Sequence, residues 1–190
     1  SINPQNDTIC QGLTSETYST QSSMTGYNWN ISDGGIITSG YGSNTITVQW
    51  NTAGAKVVEV NYINPNGNRS STAVKNITIN PLPINAGAII GLSTICPGQN
   101  SVTYTVPEIA NSTSYIWTLP DGATGTSVKN SINVNYSSMF TSGYISVKGN
   151  NSCGDGLASI LAVVANSKPA TPIITRNGDL LHSSEINGNQ

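Results

Sequence analysis

The chain has 190 residues, a net charge of -2 and charged side chains at only 8% of positions, where ordinary soluble proteins carry about 25%. No basic run and no basic-aromatic interleaving is present to draw in nucleic acid or an anionic bilayer, and no apolar stretch approaches the roughly 20 residues a membrane span needs. Asn, Ser, Thr and Gly replace the missing charge, while the three Trp and most of the eight Tyr sit inside alternating apolar runs, a pattern of half-buried strands rather than of disorder.

Residues 1–9 are polar and lead to Cys10. Glu16 to Thr20 reads as a strand. Tyr27-Asn-Trp29-Asn-Ile31 is the next, with Tyr, Trp and Ile on one face because strand side chains alternate. Asp33-Gly34 follows as a tight turn, Gly accepting a positive φ without a Cβ clash. Ile36-Ile37 is a short strand and Gly40-Tyr41-Gly42 a loop. Thr45 to Trp50 alternates with Ile46, Val48 and Trp50 inward. After Gly54, Val58, Val60 and Tyr62 share a face, and Asn64-Pro-Asn-Gly67 is a turn. In the closing strand, Thr72 to Ile79, Val74 is out of phase with Ile77 and Ile79, which predicts a β-bulge near Lys75-Asn76. Pro81-Leu82-Pro83 reads as a semi-rigid linker.

A second unit then repeats the first. Ile95-Cys96 matches Ile9-Cys10, and Tyr104 lies as far beyond its Cys as Tyr18 does. Tyr115 and Trp117 match Tyr27 and Trp29, and the Asp121-Gly122 turn matches Asp33-Gly34. Ile132, Val134 and Tyr136 match Ile46, Val48 and Trp50; Ile145 and Val147 match Val58 and Val60; Leu157 to Ala165 closes the unit. A fixed-order match over these landmarks indicates an internal duplication. The Pro linker recurs as Pro169-Ala-Thr-Pro172. Beyond it, Ile173 to Thr175 and Leu180-Leu181, separated by Asn177-Gly-Asp179, read as the first strands of a third module.

The expected fold is all-β: two tandem seven-stranded sandwiches, residues 1–82 and 83–168, with 169–190 a linker and a truncated third module. The expected core aromatics are Tyr27, Trp29, Trp50, Tyr115, Trp117 and Tyr136, with Trp29 and Trp117 as anchors between the sheets. The chain does not begin with Met and is read as a piece of a longer protein.

Tyr-x-Trp-x-x-x-Asp-Gly resembles the signature of the PKD domain, Tyr-x-Trp-Asp-Phe-Gly-Asp-Gly. Tyr27, Trp29, Asp33 and Gly34 match it, as do Tyr115, Trp117, Asp121 and Gly122. Ile31 and Leu119 stand in place of its Phe; Asn30 and Thr118 replace its first Asp, and Ser32 and Pro120 its Gly. The Cys-x-Gly openings and the Asn-Ser-Cys153-Gly154 turn are similar to divergent PKD-like domains found in tandem in large bacterial surface proteins. The resemblance implies an Ig-like sandwich at the cell surface or secreted, acting as a spacer or adhesion module that contacts neighbouring domains of its own chain, a surface polysaccharide or another protein. A carbohydrate-binding module and a protein-interaction module working through a sheet edge are the alternatives. Nothing in the family signature is catalytic.

In an exported protein Cys96 and Cys153, which flank one unit, are a candidate disulfide, and closing a loop of about 57 residues adds roughly 4 kcal/mol on a chain-entropy view. Cys10 occupies the same repeat position as Cys96, but its partner position falls near Asn66, so Cys10 reads as a small core residue unless a neighbouring module supplies a thiol. Asp33 and Asp121 lie in Gly-adjacent turns, where calcium could bind, yet neither has a clustered acidic partner, and turn chemistry accounts for each alone. No cofactor is expected. The sole His, His182, falls in the tail, and no nucleophile–base or carboxylate pair is recognisable, so no enzyme is expected. Tyr41, in a Gly-flanked loop, and Tyr144, out of phase with Ile145 and Val147, are candidate sugar-stacking residues. Ordinary strand decoration explains them equally well.

Overall fold

A computed structural model describes residues 1–4, 7–12, 15–166, 173–178 and 180–183. Seven strands make the first unit: β1 (Thr8–Cys10), β2 (Ser15–Ser19), β3 (Thr25–Ile31), β4 (Gly35–Ser39), β5 (Thr45–Trp50), β6 (Gly54–Ile63) and β7 (Ala73–Asn80). They form two sheets, β1-β7-β6-β3 and β2-β5-β4. The second unit is β8 (Thr94–Ile95), β9 (Val102–Thr105), β10 (Ser114–Thr118), β11 (Ala123–Thr124), β12 (Ser131–Tyr136), β13 (Ser142–Asn151), β14 (Gly154–Asp155) and β15 (Ser159–Ala165). Its sheets run β8-β15-β13-β10 and β9-β12-β11, with the short β14 added beside β13. Leaving β14 aside, strand order is the same in both units. The duplication read from the landmarks is therefore a duplication of topology.

In each unit the first strand pairs in parallel with the last, Ile9 opposite Ile79 and Ile95 opposite Ala165. Every other pairing is antiparallel. Parallel pairing sends the end of β1 to the end of β7, so Cys10 lies level with Asn80, where the chain leaves the unit.

The centre of each core is an aromatic pair spanning two strands of one sheet. Trp50 and Tyr18 are wholly buried, and the Trp50 Nε1 donates to the Tyr18 hydroxyl at 3.1 Å. At the equivalent place Tyr104 and Tyr136 share a 2.7 Å hydroxyl–hydroxyl hydrogen bond, and Tyr104 also donates to the Leu92 carbonyl at 2.8 Å. Burial raises the pKa of all three tyrosines, that of Tyr18 to about 12, where the nearby Glu16 charge adds to it.

Trp29 and Trp117 face inward but are only half-buried, which corrects their expected role as central anchors. They lie on β3 and β10, the outermost strands of their sheets, so only part of each ring is covered. Each indole instead ties the sheet edge to the loop entering the opposite sheet. Trp29 Nε1 donates to Ser43 O and Trp117 Nε1 to Lys129 O, both at 2.8 Å. Tyr27 and Tyr115 are half-buried as well. The Tyr27 hydroxyl accepts from Met24 N and donates to Gln21 O, and that of Tyr115 accepts from Ile109 N.

The bulge expected at Lys75-Asn76 does not exist. The β6–β7 register is unbroken from Gly54–Ile79 to Val60–Ala73. Lys75 itself takes the inward position, 8% exposed, and its ammonium reaches Asp7 at 2.6 Å, while Val74 faces outward. A lysine can do this because its stem is apolar and its head still finds a carboxylate. The irregularities lie in β3, between Thr25 and Asn28, and in β4, between Ile37 and Ser39. Further on, β16 (Ile174–Asn177) and β17 (Leu180–Ser183) form an antiparallel hairpin where strands were expected. The linker Pro169–Pro172 and the side chain of His182 fall outside the described residues.

Candidate functional site

The junction between the two units is the most elaborately built place in the chain. Cys10, at the exit end of the first unit, is bonded to Cys153 in the turn between β13 and β14, with an S–S distance of 2.02 Å and Cα atoms 5.3 Å apart. The expected Cys96–Cys153 bond is therefore wrong: Cys96 is a free, exposed thiol. The reason is topological. β8 lies beside β15, so Cys96 is carried to the exit end of its own unit, as Cys10 is in the first. The β13–β14 turn instead faces the preceding unit.

Side chains hold that turn in place. Asn151 Oδ1 accepts from Cys153 N at 2.8 Å, and Asn151 Nδ2 donates to Pro81 O at 2.9 Å and to Asn111 O at 2.7 Å. Lys148 and Asn150 both reach the Asp155 carboxylate, at 2.6 and 2.7 Å, and these bonds hold its ionisation below the ordinary carboxylate value. The Pro81–Pro83 segment is not a free tether. Ile84 N donates to Ala110 O, Ala86 N donates to Leu157 O, and the Ser159 hydroxyl donates to Ala86 O. Pro83 is buried against Gly149 and Gly156; a methyl on Gly156 would meet the carbonyl oxygens of Pro83 and Ile84 at 2.8 Å. The segment after Asn80 is thus bound along the second unit, and the disulfide ties the first unit to the same spot.

The two Asp-Gly turns are local structure. Gly34 and Gly122 have φ of 84° and 78°. The Asp33 carbonyl accepts from Lys56 Nζ at 2.8 Å, which sets a cation of the chain itself at that turn. Among the described residues no three His, Cys, Asp or Glu side chains converge as metal ligands.

Tyr41 and Tyr144 are exposed, 74% and 67%, but sit on different units and form no joint platform. Tyr144 lies on the outer face of the β10-β13-β15 sheet, where Ile160 and Val164 are also exposed. It borders a shallow groove of about 210 Å³ with Ser142, Ala162 and Val164. A larger groove of about 380 Å³, lined by Glu108, Tyr115, Val128 and Lys129, was not picked out from the sequence, because its walls come from strand β10 and from the separate β9–β10 and β11–β12 connections. The Tyr18 and Tyr104 partners of the buried pairs were also missed as core residues. Their equal spacing from Cys10 and Cys96 was the available signal.

A family model described as "PKD-like domain" matches residues 2–76 and again 82–163. No curated protein sequence matches the chain. Among solved structures, fibronectin(III)-like modules of Clostridium thermocellum CbhA align at 11% identity over 87% of this chain and 93% of theirs, with a TM-score of 0.39. The D00-D0 domain of intimin aligns at 12% identity over 85% and 98%, with a TM-score of 0.37. The Bacteroides ovatus mixed-linkage glucan utilization locus protein SGBP-B, solved with a mixed-linkage heptasaccharide, aligns at 14% identity over 86% of this chain and 44% of that one, with a TM-score of 0.33.

Proposed function

The chain belongs to the PKD-like domain family, and on that premise we propose that it is a non-catalytic spacer of an exported protein, holding neighbouring modules at a set relation to one another. The observation that carries this reading is the Cys10–Cys153 bond between the two units. A disulfide persists in oxidising surroundings, outside the cytosol. One that spans two domains serves their mutual placement rather than either core. The hydrogen bonds of residues 81–86 to the second unit act in the same direction. Among the described residues no helix is long and apolar enough to cross a membrane.

A second reading is contact with a surface polysaccharide or another protein through the outer face around Tyr144, favoured by its exposed apolar neighbours Ile160 and Val164. The test is a pull-down of the purified chain on soluble and insoluble polysaccharides, with calcium and with chelator. A spacer binds none of them. Binding that Tyr144→Ala or Tyr41→Ala abolishes would replace the spacer reading by a carbohydrate-binding one, and calcium dependence would bring Asp33 and Asp121 back as ligands.

A further inference from the structure

We propose that Cys96 is the forward half of a second inter-module disulfide, made to the hairpin cysteine of a PKD-like module that follows this one. The proposal rests on the family reading and on the repeat within this structure, where the same position is already bonded. Thr8-Ile9-Cys10-Gln-Gly12 and Thr94-Ile95-Cys96-Pro-Gly98 differ at one residue of five. Their backbones do the same things. Thr78 N donates to Asp7 O in the first unit, and Val164 N donates to Ser93 O in the second. Ile9 lies opposite Ile79 and Ile95 opposite Ala165, both in parallel register. Gly12 and Gly98 follow with φ of 73° and 84°. Cys96 therefore stands level with Asn166 as Cys10 stands level with Asn80, at the point where the chain leaves the unit.

The receiving position is defined as well. Val60 and Val147 are equivalent, so Asn66-Gly67 in the first unit corresponds to Cys153-Gly154 in the second; both glycines have positive φ, 80° and 131°. The first unit has the forward cysteine but Asn at the receiving position. The second has both. Each bond would thus run one way, from the first strand of one module to the penultimate hairpin of the next. The partner is identified by its chemistry: a module of this family with a thiol at the place of Cys153, entered through a linker as short as Pro81–Pro83. Bond formation is a two-electron oxidation of two thiols to a disulfide, with glutathione disulfide as oxidant and two glutathione thiols as the reduced product.

The test extends the chain by one module, exchanging residues 167–190 for a second copy of residues 81–166 in which the copied Cys96 carries C96S. Refolding in a glutathione redox buffer is followed by peptide mapping without reduction. The expected result is a link from Cys96 to the copied Cys153, no alkylatable thiol, and the Cys10–Cys153 bond retained as internal reference. Cys96 and the copied Cys153 both alkylating while Cys10–Cys153 forms would overturn the proposal. Should the longer chain not fold, Asn66→Cys in the unextended chain provides a receiving thiol in the first unit. Oxidation should then join Cys96 of one copy to the introduced thiol of another, giving linear oligomers. Links between two introduced thiols alone, or monomers alone, would sink the idea. In the unaltered chain, alkylation under native conditions should label Cys96 at once, and protection of that thiol would also count against it.

Discussion

Replacing Trp50 by Phe and by Tyr tests what organises the first core. Trp50 and Tyr18 are fully buried, and the indole N–H is the group that meets the Tyr18 hydroxyl. Phe removes that donor and leaves the hydroxyl facing a hydrocarbon ring. An unpaired buried hydroxyl costs about 1–3 kcal/mol, and the smaller ring leaves a void worth roughly 1 kcal/mol more. The expected loss for Trp50→Phe is thus about 2–4 kcal/mol. Tyr leaves a similar void but restores a hydroxyl, the arrangement the second unit already uses between Tyr104 and Tyr136. Trp50→Tyr should therefore be the more stable of the two by about 1–2 kcal/mol. In the second unit Tyr136→Phe should be milder than Trp50→Phe, because Tyr104 keeps its bond to Leu92 O. Equilibrium urea unfolding of the whole chain, followed by circular dichroism, measures all three. A Trp50→Phe chain as stable as Trp50→Tyr would refute the claim that the polar contact, rather than ring volume alone, sets the cost.

Cys10→Ser should leave both cores folded, since neither contains the bond, yet widen the spread of distances between the units in small-angle scattering. On the chain-entropy view a bond spanning 143 residues is worth up to about 5 kcal/mol, and scattering identical to that of the oxidised chain would show that the linker contacts suffice alone. Lys75→Leu should keep or raise the melting temperature, because the equivalent position in the second unit is Leu161 and an ion pair whose carboxylate is largely exposed stabilises little; a loss above about 2 kcal/mol would refute that. At high pH the folded state holds the Tyr18 proton more tightly than the unfolded chain does. Its contribution is complete below pH 10 and is lost as pH rises toward 12, by about 3 kcal/mol in all. Tyrosinate absorbance should show Tyr18, Tyr104 and Tyr136 ionising only above the ordinary tyrosine value, and a complete tyrosinate signal at about pH 10 would contradict their burial.

The sequence by itself did not mark the short strands β1, β8 and β14, but it determined most of the longer strands and their inward faces, the Asp-Gly turns and the duplication. All of these are local: alternation follows from the pleat, turn residues act over four positions, and a repeat needs only a comparison of the chain with itself. Sheet order is not local, and three readings failed on it. Trp29 has the same inward phase as Trp50, but β3 is an edge strand and β5 a central one, so only Trp50 is enclosed. Val74, out of phase with Ile77 and Ile79, suggested a bulge, when Lys75 simply takes the inward position and pairs with an acidic residue far back in the chain, Asp7. The sequence points Cys153 to Cys96 of its own unit; the parallel edge pairing of β1 with β7, which brings residues from opposite ends of a unit to the same junction, gives it Cys10 instead. Such a contact depends on closing a loop of the whole unit, and its entropy is recovered only when both sheets have packed. The tertiary structure alone decided, for that reason, that the disulfide joins the modules instead of closing one of them.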